Sequence, residues 1–165
     1  MLRNSNPNRP RVHGSDHINA GEDPVPSALI FIDSNETDSA ETVSSVAETT
    51  KNTISLPANS FAKIYIEFAA VHRYEVDVAA KMNATYRIKL DGALQKTYNA
   101  KILANSLAGV DTGQKESIYG SVIIAGGQTA AASVTITGQI DVNNANAGFL
   151  TKFVRLWGIN KNLRP

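Results

Sequence analysis

Ile64-Tyr65-Ile66-Glu67-Phe68-Ala69-Ala70-Val71-His72-Arg73-Tyr74-Glu75-Val76-Asp77-Val78 repeats with a period of two. The even positions Ile64, Ile66, Phe68, Ala70, Tyr74, Val76 and Val78 are apolar, with His72 among them, and the odd positions include Glu67, Arg73, Glu75 and Asp77. Successive side chains of a strand point to opposite faces, so a period of two marks a strand with one buried side. The stretch is long for one strand. It predicts either two strands or a single strand bent around Ala69 to Arg73.

The same period recurs on both sides of it. Upstream, Ala28 to Asp33 is a short apolar run, Thr42 to Ala47 a weak candidate, and Ile54 and Leu56 stop at Pro57. Downstream, Tyr86, Ile88 and Leu90 alternate with Arg87 and Lys89 and run into Asp91-Gly92, a strong hairpin signal, with Thr97 to Leu103 as the return strand. Ile118, Val122 and Ile124 form another face, ended by Gly126-Gly127. Val134, Ile136, Ile140 and Val142 form the next, with Gly138 read as a bulge. After the turn Asn143–Gly148, Phe149 to Trp157 is apolar on both faces, as in a strand buried on two sides or lying at a subunit interface. About eight to ten short strands with regular turns and no amphipathic helix predict an all-β protein, an antiparallel β-sandwich of jelly-roll type spanning residues 27–165.

Residues 1–26 read as an extended N-terminal arm. They hold four of the six prolines, Pro7, Pro10, Pro24 and Pro26, which exclude a helix or a central strand. The formal net charge of +1 conceals segregation. Residues 1–15 carry Arg3, Arg9 and Arg11 without an acid, residues 16–50 carry eight acids without a base, and the remainder is basic. Such a distribution predicts head-to-tail contacts in which a basic arm meets the acidic segment of a neighbour.

Function classes narrow by composition. The chain has no cysteine, which removes disulfides, thiolate metal sites and cysteine nucleophiles. The start, Met1-Leu2-Arg3-Asn4-Ser5-Asn6-Pro7, has no apolar segment, so no secretion signal and no membrane contact are expected. Asp111-Thr112-Gly113 matches the aspartic-protease triplet, but its surroundings read as a loop and no second carboxylate triplet exists. Gly126-Gly127-Gln128 matches the release-factor tripeptide and reads as a turn. His13 and His17 have a metal-compatible spacing only on a helix, which Gly14 and the nearby prolines oppose. His72 reads as an interior histidine, and Glu67, Glu75 and Asp77 as solvated ion-pair partners. The sequons at Asn35 and Asn83 read as accidents of an asparagine-rich chain. No catalytic residue, metal or cofactor is therefore expected, and the chain reads as a non-enzyme.

With its β-sandwich over residues 28–165 and its polar arm, the chain resembles small virion structural proteins of bacterial and archaeal viruses, such as capsid decoration, minor capsid and spike proteins. The resemblance implies a bacteriophage-type virion location after synthesis in the host cytoplasm. It also implies homo-oligomers, commonly trimers, in contact with a major capsid protein. It carries over no functional residue. The subunit-interface candidates are Arg3, Arg9, Arg11 and Pro24 in the arm, and Phe149, Phe153, Arg155, Trp157 and Leu163 at the C-terminal end. The basic arm could touch nucleic acid, though three arginines without aromatics are a thin footprint. The alternative function is a carbohydrate- or receptor-binding module, for which Tyr65, Tyr98, Tyr119 and Trp157 are the candidate stacking rings.

Overall fold

A computed structural model describes residues 29–75, 80–104 and 114–160. Nine strands occur among them: β1 Leu29–Asn35, β2 Thr42–Val43, β3 Thr49–Leu56, β4 Lys63–Tyr74, β5 Ala80–Leu90, β6 Ala93–Ala104, β7 Gln114–Ala125, β8 Ala132–Ile140 and β9 Ala147–Ile159. They form two sheets, ordered β1-β9-β4-β7 and β3-β8-β5-β6, with the two-residue β2 added to β9. Leaving β2 aside, the first strand pairs with the last, the second with the second-last, and so inward, every pair antiparallel. That nesting is the jelly roll expected from the strand spacing.

The alternation in β4 does what its period dictates. Ile64, Ile66, Phe68, Ala70, His72 and Tyr74 all point into the sandwich and are buried. The strand is continuous over Lys63–Tyr74, and the irregularity expected near Ala69 lies in its pairing with β9, where the register shifts between Ala69 and Ala70. Facing it are Met82, Ala84, Tyr86 and Ile88 of β5 and Val134, Ile136 and Ile140 of β8, with Val154 and Leu156 of β9 beside it. Asp91 and Gly92 make the β5–β6 turn with φ of 47° and 80°, the left-handed pair that the Asp-Gly signal requires.

Two expectations shift. Thr42 to Ala47 yields only the short β2. Gly138 is not at a bulge, because the β3–β8 register shifts between Thr50 and Asn52, around Lys51. Gly138 serves instead as the seat of Phe149, whose ring would lie 2.4 Å from any Cβ placed there. Asn143–Asn146 turns the chain into β9, which is flanked by β4 on one edge and by β1 and β2 on the other. The arm, residues 1–26, lies outside the described residues.

Candidate interaction surface

The outer face of the β9 sheet follows from the same register. Phe31 of β1 is opposite Trp157 of β9, Trp157 is opposite Tyr65 of β4, and Tyr65 is opposite Ile123 of β7. Four apolar side chains therefore form one row across four strands, on the side of β4 away from the core. Phe31 is 54% exposed and Ile123 55%, while Trp157 and Tyr65 are half-buried between them. Phe31 meets Trp157 edge to face, with centroids 5.3 Å apart. Leu29 and Ile159 extend the row on one side by a register pair, with Lys63 beside Ile159. On the other side, beyond one polar row, Phe153 and Tyr119 flank Ala69, and Tyr119 is 74% exposed. Monomeric proteins rarely leave so contiguous an apolar patch to water.

The polar row between them carries a shared guanidinium. Arg155 Nε donates to Glu36 Oε1 at 2.7 Å, and its Nη1 lies 3.6 Å from Glu67 Oε1. Glu67 Oε1 also accepts the indole N–H of Trp157 at 3.2 Å. Arg155 stacks over the Phe153 ring at 4.0 Å. Its hydrogen bond holds the Glu36 carboxyl below its ordinary value, and Glu36 in turn raises Arg155. Two carboxylates thus share one cation beside the aromatic row, so that row carries a surplus negative charge.

Of the nine interface candidates, Arg3, Arg9, Arg11, Pro24 and Leu163 lie outside the described residues. Phe153, Arg155 and Trp157 share the outer face. Phe149 does not, because it is 1% exposed and packs in the core edge-on to Tyr86. A regular strand would place Phe149, Phe153, Arg155 and Trp157 on one side. The β9 register skips Lys152, with Ala69 opposite Phe153 and Ala70 opposite Thr151, and this bulge turns Phe149 inward. Phe31, Ile123 and the Glu36 carboxylate were missed. Tyr65, already read as an outward ring, was the available signal for the row.

The acidic segment also departs from expectation. Glu36 pairs with Arg155, Asp38 with Lys152, Glu41 with Arg73 at 2.6 Å, and Glu48 with Lys89 at 2.5 Å and Arg87 at 3.3 Å. Four of the five carboxylates in residues 33–48 are thus paired with cations of the same subunit, Glu36 sharing its cation with Glu67. The chain leaves β1 after Asn35 and runs beside β9, with Ser39 N–H donating to the Thr151 carbonyl at 2.9 Å. The charge segregation along the sequence is used here to dock this connector on its own subunit.

The edge of β7 is closed at its centre. Tyr98 of β6 donates its hydroxyl to the Ser121 carbonyl and accepts the Ser121 N–H at 2.8 Å. One side chain thereby occupies the edge groups that a foreign strand would need. Tyr98 is a bridge between sheets, not a stacking platform.

The remaining motifs resolve into structure. Gly126-Gly127-Gln128 is the β7–β8 turn, where Asn59 accepts the Gly127 N–H at 3.2 Å. His72 is buried beside Tyr86, with Nδ1 3.4 Å from the hydroxyl and no partner at Nε2, and burial pushes its pKa down to about 4. Glu75 pairs with Arg73 at 2.9 Å, and the Asn83 amide bonds Asp141. Asn35 caps its own turn through Thr37 N–H at 3.1 Å. Asp111-Thr112-Gly113, His13, His17 and Asp77 lie outside the described residues. Among the described residues no cluster of His, Cys, Asp or Glu is placed to hold a metal, and no helix is long and apolar enough to cross a membrane.

No family model matches the sequence, and no curated protein does. Among solved structures, the chain is similar to an insecticidal delta-endotoxin from Bacillus thuringiensis at 12% identity and a TM-score of 0.37, over 77% of this chain and 19% of that one. It is also similar to a xylan-binding domain from Paenibacillus barcinonensis, at 11% identity and a TM-score of 0.34, over 74% of this chain and 73% of that one. A third similarity is to the VP2 subviral particle of infectious bursal disease virus, at 12% identity and a TM-score of 0.25, over 83% of this chain and 42% of that one. The β-sandwich hosts many unrelated functions, so what this chain does has to be argued from its own surface.

Proposed function

We propose that this chain is a non-catalytic structural subunit that associates with copies of itself through the outer face of the β9 sheet. The assembly is a virion shell, in which the chain serves as a decoration or minor capsid protein touching a major capsid protein. One observation carries the self-association: the row Phe31, Trp157, Tyr65 and Ile123 is exposed although the sandwich needs no second apolar face to fold. The Tyr98 bonds to Ser121 add to it, because they leave the centre of the β7 edge less open to strand addition. The cysteine-free composition and the jelly-roll block support the virion setting.

A sugar-binding module is the competing reading, favoured by the exposure of Tyr119. Against it, Phe31 stands edge-on to Trp157, so the two rings do not offer one flat platform to a sugar face.

Light scattering of the full-length protein separates the two. A discrete oligomer that Ile123→Lys with Tyr119→Lys converts to a monomer supports the assembly. A monomer at all concentrations that binds a glycan array, with binding lost in the same variant, overturns it. Trp157 is the only tryptophan, so its emission on dilution reports directly on whether the face is covered.

A further inference from the structure

We infer that the outer face of the β9 sheet receives Pro7-Asn8-Arg9-Pro10-Arg11 of a neighbouring copy, laid across the aromatic row. This rests on the assembly reading and names the segment that covers the face.

The spacing of the two partners agrees. In an extended polyproline helix, with three residues per turn and a rise of about 3.1 Å, Pro7 and Pro10 fall on the same side about 9 Å apart. Phe31 and Tyr65 are separated by two strand-to-strand steps, with Trp157 between them. At about 4.8 Å per step they are about 10 Å apart. Proline rings held in that helix dock on aromatic grooves with little ordering cost, which is the recurrent mode of recognising such segments. The sheet therefore offers rings at the interval at which the segment offers prolines.

Charge sets the orientation. The row on one side of the aromatics holds Glu36 and Glu67 against the single cation Arg155, and the row on the other side holds Lys63. Arg9 and Arg11 lie in a stretch without an acid, so they favour the Glu67 side and turn away from Lys63. Of the other carboxylates in residues 33–48, Asp38, Glu41 and Glu48 are occupied by cations of their own subunit, and Asp33 accepts the Ser34 N–H at 2.8 Å.

The route is long enough for a neighbour's face. The chain enters the sheet at Leu29, at the margin of the row. The residues between Pro10 and Leu29 can span up to about 60 Å, enough to reach the same face of an adjoining subunit.

Because the chain has no cysteine, thiol cross-linking reads the contact cleanly. Asn8 laid between Phe31 and Tyr65 stands about two strand steps from Ile123, beyond direct disulfide reach. Full-length Asn8→Cys and full-length Ile123→Cys are therefore mixed and joined with a bis-maleimide of about 10 Å reach, and the product mass is read. The expected result is a two-chain product, reduced at least about tenfold when Pro7→Ser and Pro10→Ser are added to the Asn8→Cys chain. A two-chain product indifferent to those serines reports random collision and overturns the inference. So does a separate chain carrying both Asn8→Cys and Ile123→Cys that cross-links only within itself. An intact oligomer with no cross-link overturns the arm contact while leaving self-association standing. A monomer with no cross-link overturns both.

Discussion

The two outer faces of the sandwich rest on strands of similar length and carry opposite chemistry. The β8 sheet turns Lys81, Asn83, Thr85, Arg87 and Lys89 of β5 outward, beside Thr97, Asn99 and Lys101 of β6 and Thr135, Thr137 and Gln139 of β8. These groups satisfy one another. Thr85 donates to Asn99 at 3.1 Å, Arg87 to Gln139 at 3.2 Å, and Thr137 to Glu48 at 2.6 Å. Its two exposed leucines, Leu94 and Leu103, lie opposite Lys89 and Lys81 near the two ends of β6 and do not form a patch. The β9 sheet instead presents rings in adjacent register positions. Folding requires one apolar face per sheet, and both sheets have it in the shared core. The second apolar face of the β9 sheet has no intramolecular use, so its exposure is a statement about partners.

The core beneath both faces gives the largest effects, and it tests whether they belong to one cooperative unit. Phe149 fills the space over Gly138, bridging a strand of each sheet. Phe149→Ala is expected to cost about 3–5 kcal/mol of unfolding free energy, read by denaturant titration as one transition. Two separate transitions would mean that the faces belong to independently stable layers.

His72 gives the next effect, and its sign is fixed. Its folded pKa of about 4 lies below the ordinary 6.5, so the unfolded chain binds the proton more readily. Stability is then full above pH 6.5, falls as pH drops from 6.5 to about 4, and levels off below. The loss at the bottom of that window is about 3 kcal/mol. His72→Leu should flatten the slope there, and an unchanged slope would assign the acid sensitivity to other groups.

A third experiment contrasts the faces directly. Lysines at Tyr119 and Ile123 should weaken self-association by at least about a hundredfold in Kd, with Tm shifted little, because the substituted side chains are exposed. Lysines at Thr97 and Thr135 on the opposite face should leave the oligomer intact. Equal loss from both pairs would erase the distinction between the faces.

How much of this was legible depends on what each signal measures. Parity along one strand is local, and it correctly sent Ile64, Phe68, Tyr86 and Ile136 inward. Val122-Ile123-Ile124 was read correctly too, with Val122 and Ile124 as the core face. The aromatic row was not legible. Phe31, Tyr65, Ile123 and Trp157 are distant in sequence and meet only once strand order and register are known. Phe149 was misassigned because parity was carried across Lys152, and no residue pattern announces a bulge there. The acidic segment misled for a related reason. Charge segregation along a chain says nothing about which cations the fold will bring to it, and β9 brings Arg155 and Lys152.

The smallest expected effect comes from Glu48, whose role shows how the polar face differs from the apolar one. Its carboxylate receives Lys89, Arg87 and the Thr137 hydroxyl, and the Lys89 hydrogen bond, followed by that of Thr137, holds its pKa below the usual 4.5. A depressed carboxylate stabilises the fold above its unfolded value, and that contribution disappears as pH falls below about 4.5. The group is partly exposed, so water and salt screen it, and Glu48→Gln should cost no more than about 1 kcal/mol. The variant's stability should converge with that of the parent as pH falls below the carboxylate range. Its oligomeric state should be unchanged at every pH, since the network ties the connector to its own subunit through β5 and β8 and lies off the β9 sheet. Loss of the oligomer in Glu48→Gln would mean that the polar face also takes part in assembly, and the contrast between the faces would then be one of strength instead of kind.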